Sequence, residues 1–131
     1  MKSLARALVT LSGLASIGVA LGLWFGIDAL LPKLGLATTD LGAGLVGRAT
    51  VRADIAGLFG GMGLAMLVAA LRQSRAWTNV VLLFVCVAIT GRFISLGLDG
   101  APALVMPPIV IEALAILLLL WFRSGLPARS R

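Results

Sequence analysis

Arg92 and Glu112 are the two residues of this chain whose charge is least expected from their surroundings. Arg92 follows the apolar run Val80–Ile89, and Glu112 lies just inside the apolar run Ile109–Leu120. A charged side chain is costly in hydrocarbon, so such residues normally face the protein interior and pair with one another. A short turn joins the two runs, and at ~1.5 Å per helical residue both charges would lie roughly 8 Å from the same end. The sequence therefore predicts an ion pair between them.

Four further polar residues are expected near this pair. Ser95 and Asp99 follow Arg92 at helical spacing and share its face. Arg52 and Asp54 stand at the start of an earlier predicted helix, at the same end. Two interpretations remain open for the cluster. It could clamp two helices together, or it could form an outward-facing polar pocket that binds a lipid head group, a small amphiphile or a partner chain, or that moves protons.

The composition argues against the commonest kinds of catalysis. The chain contains no histidine and no tyrosine. This removes the commonest general base, the commonest metal ligand and any Ser-His or Cys-His nucleophile pair. We therefore predict no catalytic residue, no metal and no cofactor. A membrane-embedded enzyme that uses Glu112 is the least favoured alternative.

Apolar stretches of spanning length must position these side chains. Of the 131 residues, 60% are apolar and 12% are charged, whereas soluble domains average about 25% charged residues. Long apolar stretches are typical of membrane-spanning helices. The chain is therefore predicted to be all-α, a four-helix transmembrane bundle that forms a single domain over residues 1–131. The predicted helices cover about 4–31, 55–71, 78–98 and 107–122.

Local signals set these predicted ends. Pro32 cannot continue the first helix, Asp54 is a favoured N-cap for the second, and Pro107 can occupy the first turn of the fourth. The connection over 33–53 is either irregular or a marginal surface helix. The start of the chain also resembles a secretory signal with a cleavage site after Ala20. Because the apolar run continues to Phe25, we expect a retained helix, with cleavage as the open alternative.

Small residues recur at four-residue spacing in the first two predicted helices. Such stripes allow close approach of helix backbones in lipid. The stripes predict helix packing within the chain, with a homo-oligomer contact as the alternative. Their members are Gly18, Gly22 and Gly26 in the first helix and Gly57, Gly61 and Ala65 in the second.

The distribution of charge predicts the orientation. With four spans, one side carries seven basic residues and no carboxylate: Lys2, Arg6, Arg72, Arg75, Arg123, Arg129 and Arg131. The other side carries Lys33, Arg48 and Arg52 together with Asp28, Asp40, Asp54 and Asp99. The positive-inside rule places the first side, and with it both termini, in the cytoplasm. The net charge of +6 is thereby explained without nucleic-acid binding.

Three segments carry a resemblance to a known family. They are Val51–Gly61, Gly91–Gly100 with its arginine and Asp-Gly turn, and the intramembrane Glu112. In these segments, spread over about the C-terminal two-thirds, the chain resembles the uncharacterised bacterial membrane-protein family DUF4345. The resemblance implies a four-helix integral membrane protein and assigns no catalytic residue.

Together these features predict a small multi-pass protein of the bacterial inner membrane. We expect an accessory or binding protein in contact with membrane lipids, with a homo-oligomer or a partner membrane subunit as further partners. A small proton-coupled transporter is the alternative.

Overall fold

Every regular element that the structure describes is helical. The computed structural model describes residues 2–36, 42–99 and 106–127. The elements are α1 (Lys2–Phe25), α2 (Ile27–Leu30), a 3₁₀ turn (Pro32–Leu34), α3 (Gly42–Thr50), a π-helical turn (Val51–Ile55), α4 (Ala56–Arg72), α5 (Arg75–Asp99) and α6 (Met106–Ser124). Four stretches are long and apolar enough to cross a membrane: Ser3–Phe25, Gly44–Arg72, Arg75–Asp99 and Met106–Ser124. The predicted helical class and the four helices of spanning length are thus confirmed.

The chain divides into two compact units. One consists of Ser12–Leu64 and is called here the α1–α4 unit. The other consists of Met1–Leu11 and Ala65–Arg131 and is called the α5–α6 unit. Both boundaries fall inside helices, because α1 and α4 each contribute residues to both units. The division therefore does not coincide with linkers between separate domains. The single domain stays a prediction.

The first helix is shorter than predicted. It ends at Phe25 instead of continuing to residue 31, because Gly26 leaves helical geometry with φ −130° and ψ 42°. Glycine has no Cβ, so this conformation costs it little. The chain then makes α2 and the 3₁₀ turn, which Gly35 ends in the left-handed region at φ +70°. There the Leu36 N–H donates to the Leu31 carbonyl at 2.9 Å.

The second long helix begins earlier than predicted. Helix starts at Gly42 and continues through the π-helical turn into α4, so Asp54 lies inside a helical segment and is not an N-cap. Within the turn, the Ala56 N–H donates to the Val51 carbonyl, five residues back. Leucine, alanine and arginine favour helix, and the sequence has no proline between Lys33 and Ala101. The glycines of this segment are therefore insufficient to stop it.

Ser74 organises the turn between α4 and α5. Its Oγ accepts a hydrogen bond from the Trp77 N–H at 3.4 Å, the arrangement of a helix N-cap. Its carbonyl accepts from both the N–H and the hydroxyl of Thr78, at 3.0 and 2.8 Å. Gln73 precedes it at φ 46°. This turn makes α5 start at Arg75, three residues before the predicted start.

Helices α1 and α4 approach each other closely, but not through the predicted glycine stripes. An added Cβ would find nothing within 4 Å at Gly18, Gly57 or Gly61. At Gly22 it would meet the side chain of Leu30, and at Gly26 the carbonyl of Gly22. Ala65 is buried and belongs to the α5–α6 unit. The predicted stripes therefore do not make the α1–α4 contact.

Gly60 and Gly63 make that contact instead. A Cβ at Gly63 would lie 2.7 Å from the Gly13 carbonyl oxygen and 2.8 Å from Cγ1 of Ile17, and one at Gly60 would lie 3.4 Å from Cβ of Ala20. The buried positions of α1 recur every three or four residues, with an average spacing of 3.6: Ala5, Val9, Gly13, Ser16, Ala20 and Leu23. Strict four-residue spacing drifts around a helix of 3.6 residues per turn, so the stripe at Gly18 and Gly22 does not follow these buried positions.

Candidate functional site

The site begins with the contact between α5 and α6, which pack against each other. Arg92 Nε donates to Glu112 Oε1 at 2.7 Å. Arg92 lies seven residues before the end of α5, and Glu112 lies six residues after the start of α6. At the helical rise these positions are about 10 Å and about 9 Å from the helix ends. The two charges predicted to pair are in contact at matched heights.

The guanidinium makes this contact through one nitrogen only. A bidentate contact would use two nitrogens and both carboxylate oxygens. Here Nε alone reaches Glu112, and within the described ranges the two terminal nitrogens have no other hydrogen-bond or salt-bridge partner. The Arg92 side chain is 38% exposed, against 16% for Glu112. Glu112 therefore holds the guanidinium of Arg92 through Nε, and the terminal nitrogens of Arg92 stay accessible.

The second carboxylate oxygen of Glu112 has a different environment. Oε2 is buried and has no hydrogen-bond partner among the residues that the structure describes. A buried acceptor without a donor carries a desolvation cost. This oxygen is thus a position where a donor group of a ligand would be stabilised.

Ser95 and Asp99 form a separate pair on α5. The Ser95 hydroxyl donates to Asp99 Oδ2 at 2.7 Å, across one helical turn. In the described part of the chain, no hydrogen bond or ion pair links them to Arg92 or Glu112. Asp99 is exposed, so this pair forms a polar edge at the end of α5.

Arg52 and Asp54 belong to the α1–α4 unit, where both side chains are exposed in the π-helical turn. The Arg52 carbonyl accepts a hydrogen bond from Trp24 Nε1 at 2.9 Å. This hydrogen bond supplies a donor to a carbonyl of the π-helical turn, where the regular α-helical hydrogen bonding is interrupted. The grouping of these two side chains with Arg92 remains a prediction.

Asp28 and Arg48 form an ion pair that sequence analysis missed. Arg48 reaches Asp28 through both terminal nitrogens, at 2.6 Å from Nη1 to Oδ1 and 3.0 Å from Nη2 to Oδ2. The hydrogen bond from Arg48 lowers the pKa of Asp28. Desolvation opposes this effect, and the positive charges of Arg48 and Arg52 add to it. The sequence analysis placed Asp28 and Arg48 on the same side of the membrane. This placement made a contact between them possible, but it did not identify which basic residue would pair with Asp28.

The opposite end of the α5–α6 pair is held by two arginines. Arg75 Nη2 donates to the Leu126 carbonyl at 2.6 Å, and Arg123 Nε donates to Asn79 Oδ1 at 2.7 Å. Both bonds connect the start of α5 with the end of α6, so the two helices run antiparallel. Arg75 Nε is buried without a partner in residues 2–36, 42–99 and 106–127.

A cavity of about 960 Å³ lies at this same end of the α5–α6 unit. It was not predicted, because its wall combines segments far apart in the sequence. The start of α1, the turn after α4 and the end of α6 supply the lining. The lining residues are Ser3, Ala5, Arg6, Ala7, Thr10, Leu11, Gln73, Trp121, Phe122, Ser124, Gly125 and Leu126.

Known proteins give no further guide to the chemistry. No protein-family model matches the chain, and neither a curated protein nor a solved structure does. Within the described ranges, no group of three or more Cys, Asp or Glu residues is placed to hold a metal ion. The arrangement of Arg92 and Glu112 therefore has to be interpreted from its own geometry.

Proposed function

We propose that the chain is a multi-pass integral protein of the bacterial inner membrane, a four-helix bundle with both termini in the cytoplasm. Four helices of spanning length support this proposal. Large apolar side chains such as Leu83, Val87 and Leu117 are more than 60% exposed, as expected for surfaces that face hydrocarbon. The excess of basic residues on one predicted side supports the orientation.

In this proposed membrane setting, the geometry of Arg92 and Glu112 is suited to binding an anionic group. We propose an accessory or binding protein in which Arg92 holds the anionic head group of a lipid or other amphiphile, or an acidic group of a partner membrane subunit. The single observation that carries this proposal is the one-nitrogen contact with Glu112, because it leaves the terminal edge of the guanidinium accessible. That edge presents donors in the planar geometry that phosphate and carboxylate groups accept.

Each member of the pair has a distinct role in this proposal. Arg92 contacts the anion. Glu112 fixes the orientation of the guanidinium and offsets its charge when no ligand is bound. Ser95 and Asp99, further along α5, bond to each other and have no role in this proposed binding.

The proposal is tested by counting bound lipids. Protein is extracted from vesicles of equal phosphatidylglycerol and phosphatidylcholine, and native mass spectrometry measures the phosphatidylglycerol that is retained. Arg92→Ala should reduce the retention of one bound phosphatidylglycerol about fivefold or more, the scale of one basic residue at an anionic surface. Glu112→Ala should reduce it too, and the double variant should be no worse than either.

Ser95→Ala is the matched control. It removes a hydrogen bond on the same helix and leaves the ion pair intact, so lipid retention should stay at the wild-type level. If Arg92→Ala lowers the free energy of unfolding but leaves lipid retention unchanged, the contact is a structural clamp and the binding proposal is wrong.

A small proton-coupled transporter is the second candidate, and the buried Oε2 of Glu112 favours it. Acidic residues within membrane spans are a recurring feature of proton relays in pumps and transporters. Reconstituted protein with an internal pH-sensitive dye should then show proton flux that Glu112→Gln abolishes. Wild-type vesicles that show no flux above protein-free vesicles would exclude this candidate.

We also propose membership of the DUF4345 family. The contact between Arg92 and Glu112 supports it, since it gives two of the resembling segments a shared structural role. A structure of any member of that family should then show the corresponding arginine and glutamate in contact, and separated side chains would contradict the assignment.

A further inference from the structure

The cavity at the far end of the α5–α6 unit is unrelated to the pair formed by Arg92 and Glu112. Phe122 lines it, ten residues beyond Glu112 on α6, which corresponds to about 15 Å along the helix. Its volume of about 960 Å³ lies at the upper end of the range of about 300–1,000 Å³ for small-molecule sites. The cavity can therefore hold a head group together with part of an acyl chain.

Arg6 gives this cavity its charge. The side chain lines the cavity and is half-buried. Its guanidinium makes no hydrogen bond or ion pair with any residue that the structure describes. No carboxylate is present among the lining residues. An unneutralised cation in a wall without acidic residues is complementary to an anion.

The rest of the lining selects an amphiphile over a free anion. Most of the lining is apolar, including Leu11, Trp121, Phe122 and Leu126. The hydroxyls of Thr10 and Ser124 already donate to the backbone carbonyls of Arg6 and Trp121. A free phosphate would therefore meet one unpaired cation, two hydroxyls that are already bonded and much apolar surface. Tryptophan beside basic residues is typical of the interface between lipid and water.

The basic residues around the cavity hold its walls in place. Arg75 is bonded to the carbonyl of Leu126, a lining residue, and Arg123 is bonded to Asn79. These bonds fix the end of α6 against the start of α5. The cavity is therefore bounded by a tethered segment on one side and by α1 on the other.

We propose that this cavity is a binding site for an anionic phospholipid, with the phosphate on Arg6 and an acyl chain along Leu11 and Trp121. The site is independent of the function proposed for Arg92. It would take one lipid from the leaflet that faces the basic end of the chain.

Native mass spectrometry of the full chain, extracted from vesicles of phosphatidylglycerol and phosphatidylcholine, tests the proposal. Arg6→Gln should lower phosphatidylglycerol retention at one site roughly fivefold. Leu11→Trp should lower it as well, by filling the cavity without changing charge. Arg72→Gln is the matched control, because Arg72 carries the same charge at the same end but is exposed and does not line the cavity.

Three outcomes would overturn the proposal. The first is equal loss with Arg6→Gln and Arg72→Gln, which would mean attraction to surface charge without a site. The second is unchanged retention in both Arg6→Gln and Leu11→Trp. The third is displacement of the lipid by millimolar inorganic phosphate, which would mean that the head group alone is recognised.

The same measurement separates this site from the one at Arg92. Arg92→Ala should leave the lipid at Arg6 in place, whereas Arg6→Gln should leave the lipid at Arg92 in place. A photoactivatable acyl chain on phosphatidylglycerol should label α1 near Leu11 in the Arg92→Ala variant. Labelling that is lost in that variant would contradict a second, independent site.

Discussion

Two helix contacts in this chain join their partners by different means. In the α1–α4 unit, backbones come together at Gly13, Gly60 and Gly63, and one neutral hydrogen bond runs from the Ser16 hydroxyl to the Phe59 carbonyl at 2.8 Å. In the α5–α6 unit, charged and amide side chains make the connections. Of an 18-residue window within the candidate span Gly44–Arg72, 39% is buried, against 11% of such a window in α5 and in α6.

The two contacts show two ways in which helices can associate within a membrane. In the proposed membrane setting, lipid tails are as apolar as leucine, so hydrophobicity does not bring helices together. Small residues gain van der Waals contact by allowing close approach, and they need no specific partner group. Polar side chains bind at defined points and can leave a charged group accessible. A ligand site is therefore expected at the second kind of contact.

Replacing Gly63 should have the largest effect on stability. In Gly63→Ala, the new Cβ would lie 2.7 Å from the Gly13 carbonyl oxygen, and backbone cannot move aside as a side chain can. We expect a loss of about 2 kcal/mol of unfolding free energy from this overpacking. Denaturant titration in detergent micelles, followed by circular dichroism, measures it.

Gly61→Ala is the control for this comparison. It lies on the same helix, and an added Cβ there meets nothing within 4 Å. Alanine is favoured over glycine in a helix by about 1 kcal/mol, so this variant should be at least as stable as wild type. Equal destabilisation by the two substitutions would show that Gly63 is not the point of close approach.

Glu112→Gln should have an intermediate effect on the contact between α5 and α6. The amide oxygen can still accept from Arg92 Nε, but the charge that offsets the guanidinium is lost. Polar contacts between membrane helices contribute about 0.6 to 1.7 kcal/mol, and the partial exposure of Arg92 favours the middle of that range, about 1 kcal/mol. The same titration measures it. Asp99→Asn, at the exposed pair with Ser95, should cost less, and the reverse order would contradict the assigned importance of Glu112.

Ser16→Ala should have a small effect on the α1–α4 contact. It removes the hydroxyl that donates to the Phe59 carbonyl while keeping the close backbone approach. The average value for such bonds is about 0.6 kcal/mol. A loss as large as that of Gly63→Ala would mean that hydrogen bonding, and not packing of small residues, holds this contact.

The exposed pair of Asp28 and Arg48 should have the smallest effect, and it should depend on pH. Since the pKa of Asp28 is lowered from its ordinary 3.8 in the folded state, its contribution is present above that value and is lost as pH falls through the lowered pKa. The stability difference between wild type and Asp28→Asn should therefore shrink on acidification below about pH 4, and also with added salt. A difference that grows on acidification would contradict the assignment.

Sequence analysis could predict the features that depend on overall composition or on a single charged residue whose isolation in an apolar stretch is energetically unfavourable. The four helices of spanning length follow from apolar runs that leave little choice of structure. The contact of Arg92 with Glu112 follows from the cost of an isolated charge and from the short turn between the two helices. In both cases one strong local effect decides the outcome.

The remaining features depend on small differences or on distant parts of the chain. Gly61 and Gly63 are equally small, so only the helical phase decides which one touches α1. The cavity near Arg6 needs three segments to assemble, and no local pattern reports this. The early start of helix at Gly42 depends on the low helix propensity of its glycines and the high helix propensity of the neighbouring residues. These two effects are similar in size, so the sequence alone does not decide between helix and loop.

The π-helical turn at Val51–Ile55 has a consequence for comparing this chain with others. A turn with hydrogen bonds between residues five apart holds one residue more than an ordinary helical turn. Within this turn, Trp24 Nε1 donates a hydrogen bond to the backbone carbonyl of Arg52. Side chains before and after the turn are therefore out of phase by about one position. A homologue with a single-residue deletion here would keep both flanking helices and lose only the bulge, so an alignment across this segment should permit a one-residue gap.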